Sequence, residues 1–270
     1  MSRFRYSLNS STIQTTPILQ KIAVAGKAGY AGIELWHNDI DAYIAQGGAL
    51  SDIRKALDDY DLEVPSTIHL KQWFQTEGQE YLAVMDSTKT KLEQAAAVGA
   101  QYIVAGPPAG PANRELGGRR YAALVDLGRQ FGVRPAFEYL GFVDDIRTIE
   151  DALDVIHRSR HPDAAVVLDP FHCFSGGGTI ESISQIHGSL VAVSHFNDAP
   201  ASPPARQLRD PDRVFPGDGV IDLRRYCDLL SNIGYRGFLS LELFRQDLWQ
   251  RNPLDVALEG LEKMRRIAES

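Results

Sequence analysis

The chain has 270 residues, enough for one or two domains and within the range that an α/β barrel fills alone. Hydrophobic residues make up 44% and charged residues 23%, values that build a substantial core, and the formal net charge is −7. That acidic balance leaves no basic surface for a phosphate backbone, so no nucleic-acid partner is expected.

The opening MSRFRYSLNSST reaches polar residues early and lacks the apolar stretch of a signal peptide. No run approaches the roughly 18–20 apolar residues of a membrane span. Two cysteines, Cys173 and Cys227, are too few for a secreted disulfide framework. A soluble, cytoplasmic protein with no membrane partner is the expectation.

Short β-type segments alternate with longer helical patterns, the order of an α/β fold with parallel strands. Strands are expected near 3–8 (RFRYSL), 31–36 (AGIELW), 63–69 (EVPSTIH) and 101–106 (QYIVAG). Four more fall near 133–139 (VRPAFEY), 164–169 (AAVVLD), 190–196 (LVAVSHF) and 237–243 (GFLSLEL). Helical stretches lie near 17–29, 49–59, 79–98, 115–131, 148–159, 179–187 and 221–233. A last helix near 254–268 carries Leu254, Leu258, Leu261 and Met264 at helical spacing.

This count matches a closed (β/α)8 TIM barrel, read as one domain over 1–270. A doubly wound sheet would show a Gly-rich turn after its first strand, where this chain has Asn9-Ser10-Ser11-Thr12. The longest connection, 197–219, follows the seventh strand and belongs to the face where barrels build their active sites.

Each of the last four strands ends in a residue that can ligate a metal: Glu138 in AFEYLG, Asp169 in VLDPFH, His195 in SHFND and Glu242 in SLELF. Inward-pointing side chains at these ends can converge. Three carboxylates sharing a small pocket repel one another unless a cation neutralises them. Hard oxygens with one imidazole nitrogen suit one divalent ion, Mn²⁺ or Zn²⁺ first, with Co²⁺ and Mg²⁺ as alternatives. The bland reading of any one acid is a helix cap or a surface ion pair. Four ligands on consecutive strands favour the metal.

Other candidates are less specific. His172 could face the metal, orient a ligand or bind substrate, and His69 could touch substrate or pack. Arg213 in DPDRVFPGDG could reach a substrate oxygen or pair with nearby Asp residues. Glu34, Trp36, Trp73 and Phe74 could form an apolar wall, with one or two of them plain packing residues. Gly176-Gly177-Gly178 lacks the P-loop pattern and reads as a flexible turn before a helix.

The motifs FEYLGF, VVLDPFHCFSGGGTIESI, SHFND, DPDRVFPGDGVIDL and LSLELFR resemble those of the xylose isomerase-like TIM-barrel superfamily. Within it they are most similar to the inosose isomerase family of inositol catabolism. The resemblance implies one metal held by Glu138, Asp169, His195 and Glu242, with His172 and Arg213 at positions associated with substrate. It further implies that Glu138 and Glu242 also move the proton.

The endonuclease IV branch of the superfamily needs extra histidines for its three metals. Here the fourth strand runs into VAGPPAG, and the matching loop reads Asp212-Arg213-Val214.

The expected function is a metal-dependent isomerisation or epimerisation of a small polyhydroxylated ketone, a keto-inositol or ketose, through a metal-stabilised cis-enediolate. A dehydratase or lyase shares the first step and stands as the alternative. A phosphodiesterase and a non-catalytic sugar-binding barrel rank lower. The oligomeric state is left open, a homo-oligomer included. Pro170 after Asp169 departs from the family pattern, as do the loops HNDIDAYIAQGG and LKQWFQ.

Overall fold

A computed structural model describes residues 3–270. Its strands are β1 (Arg5–Asn9), β2 (Gly32–Trp36), β3 (Val64–Leu70), β4 (Ala100–Ala105), β5 (Arg134–Glu138), β6 (Val166–Leu168), β7 (Val191–Phe196) and β8 (Phe238–Leu241). Each pairs in parallel with the next, and β1 pairs with β8, so the sheet closes in chain order as the expected (β/α)8 TIM barrel. Closure leaves no edge strand.

Between the strands run α1 (Ile18–Ala28), α2 (His37–Ala45), α3 (Leu50–Asp59), α4 (Gly78–Ala97), α5 (Arg114–Arg129), α6 (Ile149–Ser159), α7 (Pro170–Gly176) and α8 (Leu223–Asn232), and after β8 come α9 (Gln246–Trp249) and α10 (Pro253–Ala268). The short α2, α7 and α9 lie outside the sequence expectation. In α7 the side chain of Asp169 caps the first turn and Pro170 occupies the position where a missing N–H costs nothing. The departure at Pro170 is therefore a helix start.

The helix expected at 179–187 is instead two 3-10 turns, Ile180–Gln185 and Gly188–Leu190. Ile180, Ile183 and Ile186 recur every third residue, the period of a 3-10 turn, and all three pack on the main core. No helix among the described residues is long and apolar enough to cross a membrane.

Strand alternation sorts the side chains into two cores. Leu8, Ile33, Leu35, Ile103, Phe137, Leu168 and Leu241 face outward into the layer between strands and helices. A smaller cluster including Val104, Ala136, Val167, Val193 and Phe238 fills the barrel interior. The same alternation sends Glu138, two after Ala136, and Asp169, two after Val167, to the interior above that filling. His195, two after Val193, and Glu242, one after the outward Leu241, follow the same rule. A register shift between β6 and β7, where Val167 pairs with Val193, sets this phase.

Candidate metal centre

The four strand-end residues converge: one ligand atom from each of Glu138, Asp169, His195 and Glu242 lies within 4.8 Å of all the others. His195 Nδ1 stands 2.9 Å from Glu138 Oε1, 3.1 Å from Glu242 Oε2 and 3.6 Å from Asp169 Oδ2. Yet neither His195 Nδ1 nor Glu138 Oε1, both buried, has a hydrogen-bond partner among the described residues. Unpartnered buried polar atoms are rare. These point at a shared centre between three carboxylates, and the four residues form a site for a divalent metal ion.

The charges agree with that assignment. Burial works to lower the His195 imidazole, but Glu242, Glu34 and Glu138 outweigh it and hold the ring well above its ordinary value. Burial also works to raise Asp169, but the Arg213 guanidinium beside it holds its carboxyl well below the usual range. At Glu242 burial prevails over His195 and Arg213, and the carboxyl is raised.

Asp169 does two jobs at once. Its Oδ1 accepts the His172 backbone N–H at 3.1 Å as the α7 cap, while Oδ2 faces the centre. The helix-cap reading and the metal reading of this residue are both right.

A cavity of about 640 Å³ opens over the site. Glu138 and Glu242 line it, whereas Asp169 and His195, at 0% and 1% exposure, do not. The other residues singled out as substrate contacts, His172, Arg213, His69 and Trp36, all line this cavity. His172 keeps Nδ1 without a partner while its Nε2 accepts from Arg213 at 2.9 Å. Burial, with Lys71 and Lys91 adding to it, lowers His69 to about 3, so its ring is neutral. Trp36 meets His69 and Phe244 edge-on, with centroids 5.4 and 5.7 Å apart.

Arg213 is fully buried and its donors are engaged. Nη1 donates to Asp169 Oδ2 at 2.7 Å and to Glu242 Oε2 at 2.9 Å, while Nη2 donates to Asp210 Oδ1 at 3.0 Å. The pairing with a nearby Asp is thus present at Asp210, and Arg213 also lines the cavity. The loop that delivers it is tied down by Asp198, whose carboxylate accepts the backbone N–H groups of Ala199, Gly217, Gly219 and Ile221.

Of the expected apolar wall, Phe74 and Trp36 line the cavity and Trp73 is a packing residue against Tyr121 and Phe137. Glu34 is no wall residue. It is a fully buried carboxylate behind His195, with Oε2 3.4 Å from Nε2. Asn9 was also missed: its Nδ2 donates to Glu242 Oε1 at 2.9 Å and to Glu34 Oε2 at 3.2 Å. The signal for Glu34 was available in GIELW, where Ile33 and Leu35 must face the helices and so turn Glu34 into the barrel.

The chain is 25% identical over 249 residues to an inosose isomerase of Bacillus velezensis, covering 89% of this chain and 88% of that protein. It is 25% identical over 258 residues to a 3-dehydroshikimate dehydratase of Pseudomonas aeruginosa, covering 93% of this chain but 40% of that longer protein. In fold it is similar to the crystal structure of the IolI protein with a bound zinc atom, with a TM-score of 0.91, 23% identity and 98% of each chain covered. The family model described as xylose isomerase-like TIM barrel matches residues 22–267, and the chain belongs to that family.

Proposed function

We propose that this protein is a metal-dependent isomerase or epimerase of a small keto-polyol, a keto-inositol or a ketose. One observation carries the reading. Of the four residues around the metal centre, the two that also face the cavity are both glutamates, the residues able to exchange a proton with a bound substrate.

The ligand set suits Mn²⁺ or Zn²⁺, with Co²⁺ and Mg²⁺ as alternatives. When bound, the ion supplies a Lewis acid that polarises a ketone oxygen and acidifies the neighbouring C–H. The chain supplies the proton chemistry. Glu138 and Glu242 reach the cavity from β5 and from the end of β8, one to take the carbon-bound proton and the other to return it. The raised Glu242 carboxyl is closer to neutral pH than a solvated one, which suits a group that both accepts and releases a proton.

Return of the proton to the former carbonyl carbon, with the hydroxyl proton passing between the two oxygens, transposes the ketone. Its return to the original carbon from the other face epimerises that centre. His172 through Nδ1 and His69 through its neutral ring contact the remaining hydroxyls. The Trp36 ring packs on a C–H face of the substrate. Arg213 sets the charge beside the substrate, since carboxylates and His172 already hold its donors.

The test is incubation with 2-keto-myo-inositol and Mn²⁺ in D₂O. Deuterium at carbon together with a new ketone supports the reading; neither product nor exchange removes this substrate. The likeness to a 3-dehydroshikimate dehydratase favours a second reading, in which the same proton removal is followed by loss of a β-hydroxyl as water. Ultraviolet absorbance of a conjugated product from 3-dehydroshikimate would report it.

A further inference from the structure

We infer that Glu34 is a positioning residue for the metal centre: its carboxylate holds His195 with the proton on Nε2 and Nδ1 turned to the ion, and Asn9 ties that carboxylate to Glu242. The inference rests on the metal-centre reading above.

Glu34 sits in the middle of β2, at 0% exposure, with neighbours Ile33 and Leu35 facing the helix layer. Among the described residues no Lys or Arg pairs with it; the only group of opposite charge within reach is the His195 ring, 3.4 Å away at Nε2. A carboxylate so deep is costly unless donors surround it. Ser66 Oγ donates to Oε1 at 2.5 Å and Asn9 Nδ2 to Oε2 at 3.2 Å. An imidazole that ligates through Nδ1 carries its remaining proton on Nε2, on the side where Glu34 stands. A carboxylate there selects that tautomer and fixes the ring plane.

Asn9 extends the arrangement. Its Oδ1 accepts from Trp36 Nε1 at 2.9 Å and from the Ser11 backbone N–H at 3.1 Å. That orients the amide so that Nδ2 spends its two hydrogens on two carboxylates, Glu34 and the cavity-facing Glu242. Turning the amide over would set oxygen against oxygen and N–H against N–H at all four contacts. The cavity wall at Trp36, the ligand Glu242 and the carboxylate behind His195 are thereby linked through one side chain.

The experiment compares the full chain with Glu34→Gln. Zn²⁺ and Mn²⁺ affinities are measured by chelator competition, and the His195 ring nitrogens are followed by ¹⁵N NMR in the Zn²⁺-loaded protein. The expected result is a loss of metal affinity of about 10–100-fold with a displaced Nε2–H signal. Affinity within about twofold of the unsubstituted chain, with that signal unmoved, would overturn the inference even if thermal stability fell. Should Glu34→Gln not fold, Ser66→Ala removes the donor to Oε1 while keeping the carboxylate. A several-fold loss of affinity supports the inference there and no loss overturns it. If the unsubstituted chain itself binds neither ion, the metal-centre reading fails, a result distinct from equal binding by both chains.

Discussion

Arg213 and Asp169 form a fully buried ion pair, with Nη1 and Oδ2 2.7 Å apart at 1% and 0% side-chain exposure. The same nitrogen reaches Glu242 at 2.9 Å. Arg213 thus carries positive charge beside two of the three carboxylates that surround the metal position, and the centre keeps a counter-charge when the ion is removed.

Replacing Arg213 by Ala should cost about 3–5 kcal/mol in the chelator-treated protein, because Asp169 and Glu242 are left buried without their partner. Added Mn²⁺ should recover part of the loss by restoring positive charge between them. Urea unfolding with and without the ion measures both effects. A midpoint unchanged by the substitution would show that the pair contributes nothing.

Glu242→Gln should lower exchange of substrate C–H with solvent deuterium by about 10²–10⁴-fold. Glu138→Gln should do the same, since the two glutamates share the cavity face. Exchange retained in either variant, at saturating metal, would remove that residue from the proton-transfer role.

Metal binding should release a proton. The Glu242, Glu34 and Glu138 carboxylates outweigh burial and hold the His195 imidazole well above its ordinary 6.5, so near neutral pH the metal-free ring is protonated. Ligation through Nδ1 must displace that proton, and affinity should rise by up to about tenfold per pH unit while the ring remains charged. In the metal-free protein the raised imidazole contributes stability fully below 6.5 and loses it as the pH rises through the raised value. Calorimetric titration in two buffers of different ionisation heat counts the protons; a count of zero would contradict the shift.

Asp198→Ala should loosen the long connection after β7. The substitution strands the N–H groups of Ala199, Gly217, Gly219 and Ile221, and the expected cost is about 2–3 kcal/mol. Amide hydrogen exchange should rise at 214–221, and metal affinity should fall because Arg213 is carried on the same loop. Unchanged exchange there would show that the loop keeps its path without Asp198.

Much of the second half was readable from residue order. The runs VVL and VAV are buried on both faces, as parallel strands inside a helix layer must be, and the ligating residue soon after each run, Asp169 or His195, marks the mouth of the barrel. The first half was harder. With β1 read as 3–8, Asn9 fell in a loop, whereas the strand runs to Asn9 and aims its amide into the barrel. Glu34 looked like one member of an apolar wall because its partner His195 comes from β7, far along the chain. Arg213 stood in an irregular loop whose path depends on the Asp198 clamp.

The amino-acid order by itself determined the eightfold alternation of strand and helix, and it put a ligating residue at the end of each of the last four strands. These are local consequences of period-2 and period-3.6 patterning. Only the tertiary structure decided which carboxylates face the cavity, which one stands behind the histidine and where the arginine spends its charge. Those relations join residues distant in sequence, on strands and on the long loop after β7, and they exist only once the barrel has closed β1 against β8.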